Sequence, residues 1–175
     1  MGPSTRRNPV IEDEELLMTV LNSTPVINGR RTDLLEGTAG SELVGRFGGT
    51  GTSTELRHLR ETRDAIQGII RREADAAQRL AATIDRTALL PDVTPEGIQW
   101  HLDAPTAQRL AARTALAWSQ TLHELPGRLR ACANTECNLF LIDRSRPGTA
   151  KWCSMSACGN RMKARAHAER ARQQR

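Results

Sequence analysis

Apolar residues fall along this chain in short helical rhythms separated by turn signals. From Glu12 to Asn22, Leu16, Leu17, Val20 and Leu21 gather on one face of a short helix whose acidic first turn suits the helix dipole. Val26 and Ile27 then precede Asn28-Gly29, the dipeptide best suited to a tight hairpin turn, with Leu34 and Leu35 beyond it. A small hairpin fits this stretch, and so does a helical turn starting at Asp33. Gly45, Gly48, Gly49 and Gly51 predict a linker-like loop.

From Thr52 the rhythm sharpens. Thr52 and Glu55 have capping-box spacing, and Leu56, Leu59, Arg63, Ile66 and Ile70 repeat at helical intervals with only Arg63 polar. A further helical stretch, Asp75 to Arg86, carries Leu80 and Ile84 on one face, either as a separate helix or as the far half of an interrupted one. Ala88 to Val93 and Ile98 to Leu102 flank the turn-like Thr94-Pro95-Glu96-Gly97. In the second strand Ile98, Trp100 and Leu102 alternate with polar residues, the period of a half-buried strand. Pro91 confines the first to a sheet edge. Pro105 opens a long helix to about Leu125, with Leu110, Ala117, Trp118, Leu122 and Leu125 as its buried side, and Pro126-Gly127 ends it.

The charge changes sign where that rhythm stops. Residues 1–127 carry 14 basic and 17 acidic side chains, a net of −3, whereas residues 128–175 carry 11 and 3, a net of +8. Two units are therefore expected, residues 1–126 and residues 127–175. Arg outnumbers Lys 23 to 2, a skew that reflects genome composition before guanidinium chemistry, so only the sign asymmetry is informative. No run of some 18 apolar residues exists to span a bilayer, and Met1 to Val10 lacks the apolar core of a secretory signal. These features predict a cytoplasmic protein with no membrane partner.

All four cysteines lie in the basic part: Cys132 and Cys137, then, after a fifteen-residue interval, Cys153 and Cys158. In a reducing compartment such pairs are metal ligands before they are disulfides. Four thiolates complete a tetrahedral Zn²⁺ shell and leave no position for catalytic water, so one structural zinc is expected. The competing readings are a disulfide framework and four inert buried thiols, but a module this short has little apolar mass to fold unaided. Leu139, Phe140, Leu141 and Ile142 form an apolar strand, Arg146-Pro147-Gly148-Thr149 a turn, and a helix begins near the second cysteine pair. Amides at that helix start are expected to favour thiolates at Cys153 and Cys158. The predicted fold class is α+β: a mostly helical N-terminal domain with small β-hairpins, followed by a treble-clef-like zinc module with a basic C-terminal helix. No Ser-His-Asp order, Walker loop or dinucleotide fingerprint points to an enzyme, and no residue is assigned a catalytic role.

Trp152-Cys153-Ser154-Met155 followed by Cys158-Gly159-Asn160-Arg161, with Cys132-Ala133-Asn134 and Cys137 upstream, resembles the CGNR zinc finger. Proteins of that family are described as stress-induced bacterial transcription regulators in which the finger follows an ABATE domain. Val20-Leu21-Asn22-Ser23-Thr24 and Asp33-Leu34-Leu35 resemble the short motifs that open that domain, with Ser23 inserted where the family usually runs Asn-Thr. The resemblance implies a structural zinc and a role in transcription.

On a helix from Gly159, Arg161, Arg165, Arg172 and Arg175 form one stripe, with Lys163, His167 and Arg170 nearly opposite. Such a helix places Arg and Lys on phosphates, while Asn160 either reads a base edge or hydrogen-bonds the zinc knuckle's backbone. Arg144, Arg146 and Lys151 on the hairpin add backbone contacts. DNA is the expected partner. An adaptor that docks RNA polymerase through the zinc module, an RNA-binding protein and a homodimer are the alternatives, and no residue of the N-terminal part names a small-molecule ligand.

Overall fold

A computed structural model describes residues 9–173. The elements run α1 (Pro9–Leu21), β1 (Val26–Ile27), β2 (Arg30–Arg31), α2 (Gly37–Gly45), α3 (Ser53–Arg71), α4 (Ala76–Thr83), β3 (Ala88–Thr94), β4 (Gly97–Asp103), α5 (Arg109–Glu124), β5 (Leu129–Ala131), β6 (Phe140–Ile142) and α6 (Asn160–Gln173). Each strand pair is a separate antiparallel hairpin, so the fold is α+β as expected. Among the described residues no helix is long and apolar enough to cross a membrane.

α1 owes its central place to having apolar residues on two adjacent faces. Leu17 and Leu21 join Ala65 and Ile66 of α3, Leu80 of α4, and Ala115 and Ala117 of α5 in one buried cluster. Leu16 and Val20 join Leu35, Val44, Leu56, Leu59 and Leu110 in a second. The first cluster also contains Leu129 and Phe140 from the zinc module's hairpin. The charge boundary at residue 127 is therefore not a packing boundary.

α3 starts where expected. Thr52 Oγ1 accepts from Glu55 N at 3.3 Å, but the Glu55 carboxylate reaches one residue further back than in a standard capping box, to Gly51 N at 2.8 Å. Two residues in the left-handed region, Arg72 and Asp75, separate α3 from α4, which settles the choice in favour of two helices. Asn28 and Gly29 both have positive φ, 51° and 78°, as a tight hairpin between β1 and β2 needs.

One helix carries no sequence signal, and two expectations need correction. First, α2 stands directly before the glycine loop, where the pattern predicts no element. Glycine weakens a helix, yet Gly40 is required here, since a Cβ would stand 2.7 Å from the Leu35 carbonyl carbon. Second, Leu122 is exposed, and α5 buries Ala111, Ala112, Thr114 and Thr121 in addition to Leu110 and Ala117. Third, β4 is not half-buried. The β3–β4 hairpin alternates as expected, but Val93, Ile98 and Trp100 face solvent.

The zinc module is tied to the helices by polar joints as well. Asn22 Oδ1 accepts from Phe140 N at 2.7 Å, while Asn22 Nδ2 donates to Phe140 O at 3.3 Å, so one side chain imitates a paired strand. Asn138 donates to Thr24 O and Thr24 Oγ1, and its carbonyl oxygen accepts from Arg31 and Arg71. The Arg71 guanidinium lies 4.8 Å from the Phe140 ring centroid. Phe140→Ala should accordingly lower unfolding free energy by about 3–5 kcal/mol, the range for emptying a fully packed aromatic site. Chemical denaturation of the zinc-loaded chain checks this, and a loss under 1 kcal/mol would show that the ring contributes little to the core.

Candidate metal centre

The four cysteines reach one point because a hairpin and a helix start converge. Cys132 directly follows β5, and Cys132 N donates to Leu139 O at 2.8 Å, continuing the β5–β6 ladder by one step. Cys137 N donates to Asn134 O at 2.8 Å, closing the turn that brings the second thiol beside the first. On the other side, Ala133 N donates to Lys151 O and so holds the segment bearing Cys153 against the hairpin. Ser154 then caps a single wide turn, Met155–Gly159, by accepting from Ala157 N at 3.0 Å. In that turn Gly159 N donates to Ser154 O, and Cys158 swings inward.

The four Sγ atoms all lie within 4.8 Å of one another. Cys137 and Cys153 are 3.8 Å apart, and Cys153 and Cys158 are 3.7 Å apart. Ligands on a regular tetrahedron at ~2.3 Å from zinc stand roughly 3.8 Å from each other, so the spacing fits that ion. It is far from the ~2.05 Å of a disulfide. These cysteines form one zinc site, and with four protein thiolates the metal supplies fold stability.

A ZnS₄ centre carries about −2, and the surrounding donors answer that charge. Leu139 N points to Cys137 Sγ at 3.4 Å and Cys153 N to Cys132 Sγ at 3.5 Å. Asn134, 1% exposed, donates Nδ2 to Cys158 Sγ at 3.4 Å and accepts from Glu136 N through Oδ1. Burial alone would push the Cys158 thiol up, but the Asn134 donor and the neighbouring thiols outweigh it and bring Cys158 down to about 7. Burial pushes Cys137 and Cys153 up. Sequence reasoning assigned this support to helix-start amides, whereas it comes from the knuckle amides and from Asn134.

Asp143 is the second buried anchor. It accepts from Ser145 Oγ at 2.6 Å, Ser145 N and Ala150 N at 2.9 Å, and faces Arg128 and Arg130. The Ser145 hydroxyl bond leads the effects that hold its carboxyl below the ordinary range. Asp143 thereby fixes the loop between the two cysteine pairs.

The nucleic-acid candidates are not one cluster. Asn160 is exposed and makes no side-chain hydrogen bond among the described residues, so the bracing role considered for it belongs to Asn134. Arg161 Nη2 lies 3.8 Å from Cys158 Sγ. Arg165 pairs with Glu136 at 3.0 Å and Arg144 with Glu14 at 2.6 Å, both on the surface. Arg146, Lys151, Lys163, Arg170 and Arg172 are exposed, with no carboxylate partner among the described residues. Arg175 lies outside the described residues. Gly159 is set by packing: a Cβ there would meet Met155 Sδ at 2.6 Å and Trp152 Cδ1 at 3.1 Å.

Residues 128–171 match the family model of the CGNR zinc finger. The match takes in all four ligands and nearly all of α6. No curated protein matches the chain.

Proposed function

We propose that this chain binds DNA through α6 and the adjoining zinc hairpin, as a regulator of bacterial transcription. The observation that carries this reading is the state of α6 itself. From Lys163 to Arg172 every residue is exposed, and the segment is rich in cations and rooted at a zinc site. A helix of 14 residues with no buried apolar face is marginal by itself in water. A polyanion in a groove supplies both charge neutralisation and a surface to lie on. Its ion pair with Glu136 does not compete strongly, because exposed pairs contribute only about 0–1 kcal/mol. On this reading the chain is a binding protein, not an enzyme.

The test uses Arg165→Ala with Arg172→Ala, two residues on one stripe, and leaves Arg161 in place because it touches the metal centre. Duplex affinity is measured at three or more salt concentrations, with zinc content checked in each sample. Each neutralised phosphate contributes about −0.9 to the slope of log K against log salt, so the double variant should flatten the slope by up to about two units. An unchanged slope with zinc still bound would remove this stripe from the interface. Preference for single-stranded RNA, or retention of RNA polymerase without duplex binding, would decide for the RNA or adaptor reading.

A further inference from the structure

The β3–β4 hairpin has a sidedness that nothing in the zinc module explains. Its register pairs Leu89 with Leu102, Pro91 with Trp100 and Val93 with Ile98, and these three pairs share one face. The opposite face carries Asp92, Gln99, His101 and Asp103, with His101 Nε2 3.6 Å from Asp92 Oδ2; Ala88 and Leu90 are the apolar residues on it. Such segregation is what a strand pair needs when one side packs on something. Yet Val93 is 76% exposed, Trp100 62% and Ile98 58%.

At the base of the hairpin, the same face turns into a cleft of about 300 Å³ between α4 and α5, lined by Leu80, Ile84, Leu89, Leu102, Leu116 and Trp118 among others. The free tip therefore carries two β-branched apolar side chains, and the base carries an apolar hole. Four residues of strand separate Val93 from Leu89, roughly 13 Å.

We propose that this face is the interface of a two-fold dimer of the chain, in which each hairpin tip enters the partner's cleft. An isologous arrangement puts knob into hole twice with one contact, with the two Pro91–Trp100 pairs meeting near the axis. The area agrees. The exposed apolar side chains of the hairpin face and cleft rim amount to on the order of 500 Å² per chain, the size of the largest single patch on an ordinary monomer, which is often a functional surface. Two copies face to face remove roughly 1,000 Å² from apolar groups alone, and the polar rim brings the total into the range of stable specific interfaces. An unrelated helix laid on this face would cover the strands but leave the tip and the hole without matching partners.

The test is sedimentation equilibrium of the full-length zinc-loaded chain without nucleic acid, so its outcome is independent of the DNA reading. The wild type should be dimeric at micromolar concentration. Val93→Asp with Ile98→Asp should weaken the dimer at least 100-fold, and because both side chains already face water, the variant should remain folded. Leu116→Arg, which fills the rim of the hole from α5, should do the same. Gln99→Ala on the polar face should change nothing. A wild type that stays monomeric to about 200 µM, a folded tip or rim variant that dimerises as tightly as wild type, or a monomer whose cleft takes up an apolar dye would each overturn the proposal.

Discussion

Cys158→Ser should release zinc and destabilise the helical part of the chain along with the zinc module. Three thiolates leave the tetrahedron open, and zinc binding in small modules supplies folding free energy of about 10–16 kcal/mol at neutral pH. Here that free energy is not confined to residues 127–173. Phe140 and Leu129 belong to the same buried cluster as Leu17, Leu21, Ala65 and Ile66. When β5 and β6 come apart, that cluster opens to water, Asn22 loses both of its bonds to Phe140, and Asn138 leaves Thr24. Zinc release, followed with a chromophoric chelator, and loss of helical circular dichroism should share one denaturation midpoint in the wild type. In Cys158→Ser the helical signal should melt at least 10 °C lower, since even 1 kcal/mol moves the midpoint of a domain this size by about 2–4 °C. Residues 1–126 expressed alone should aggregate or bind apolar dyes for the same reason. A helical part that melts unchanged without zinc would show two independent units, as the charge boundary suggested.

The contrast between charge and packing shows what kind of information a sequence carries. Cysteine spacing was legible because a tetrahedral ion constrains its ligands whatever surrounds them, and the four Sγ atoms do converge. The α3 rhythm was legible because a long amphipathic helix repeats its signal over five turns. By contrast, the residues that join the parts left no periodic trace. Asn138 and Thr24 stand 114 residues apart, and no local pattern links them. The motif Asn22-Ser23-Thr24 was noticed only as a resemblance, yet its three side chains bond Phe140, Arg63 and Asn138 in turn. Nothing local distinguishes Asn134 from Asn160, since the signature ends in Asn160-Arg161 on the helix while the buried donor sits in the knuckle. α2 was hidden by glycines that weaken the helical signal while packing requires one of them. The β3–β4 alternation is present, but the half-buried strand it predicts is exposed, because alternation specifies only that a face is apolar and not what covers it.

Arg63 was the one polar residue in the α3 rhythm, and Arg63→Met should destabilise the chain by about 3–5 kcal/mol, the usual penalty for removing one partner of a buried ion pair. The side chain is 4% exposed. Its Nη1 and Nη2 donate to the two oxygens of Asp33 at 2.7 and 2.9 Å, Nη1 also reaches Ser23 Oγ at 3.0 Å, and Nε reaches Asp64 at 2.8 Å. Burial would raise the Asp33 pKa, but the Arg63 bonds and the Leu35 amide outweigh it and hold the carboxyl below its usual value of 3.8. A carboxyl depressed in the folded state stabilises fully above its unfolded pKa and loses that contribution only as pH falls through the folded value. Between pH 5.5 and 7.5, with bound zinc verified at each pH, the intact pair therefore adds no slope of its own. In Arg63→Met, burial, the largest single effect on Asp33, is opposed only by the Leu35 amide and the Arg60 charge, so the carboxyl is expected to rise and keeping it ionised to become a cost that grows with pH. The penalty of Arg63→Met should then be larger at pH 7.5 than at pH 5.5. Adding Asp33→Asn removes the stranded charge, and the amide oxygen can still accept from Leu35 N as Asp33 Oδ1 does at 2.9 Å. The double variant should recover at least half of the lost stability and lose the pH dependence. Urea denaturation of wild type, both single variants and the double variant at the two pH values closes this cycle. Equal penalties at both pH values, with no recovery in the double variant, would show that Arg63 acts through the packing of its aliphatic stem rather than through its charge.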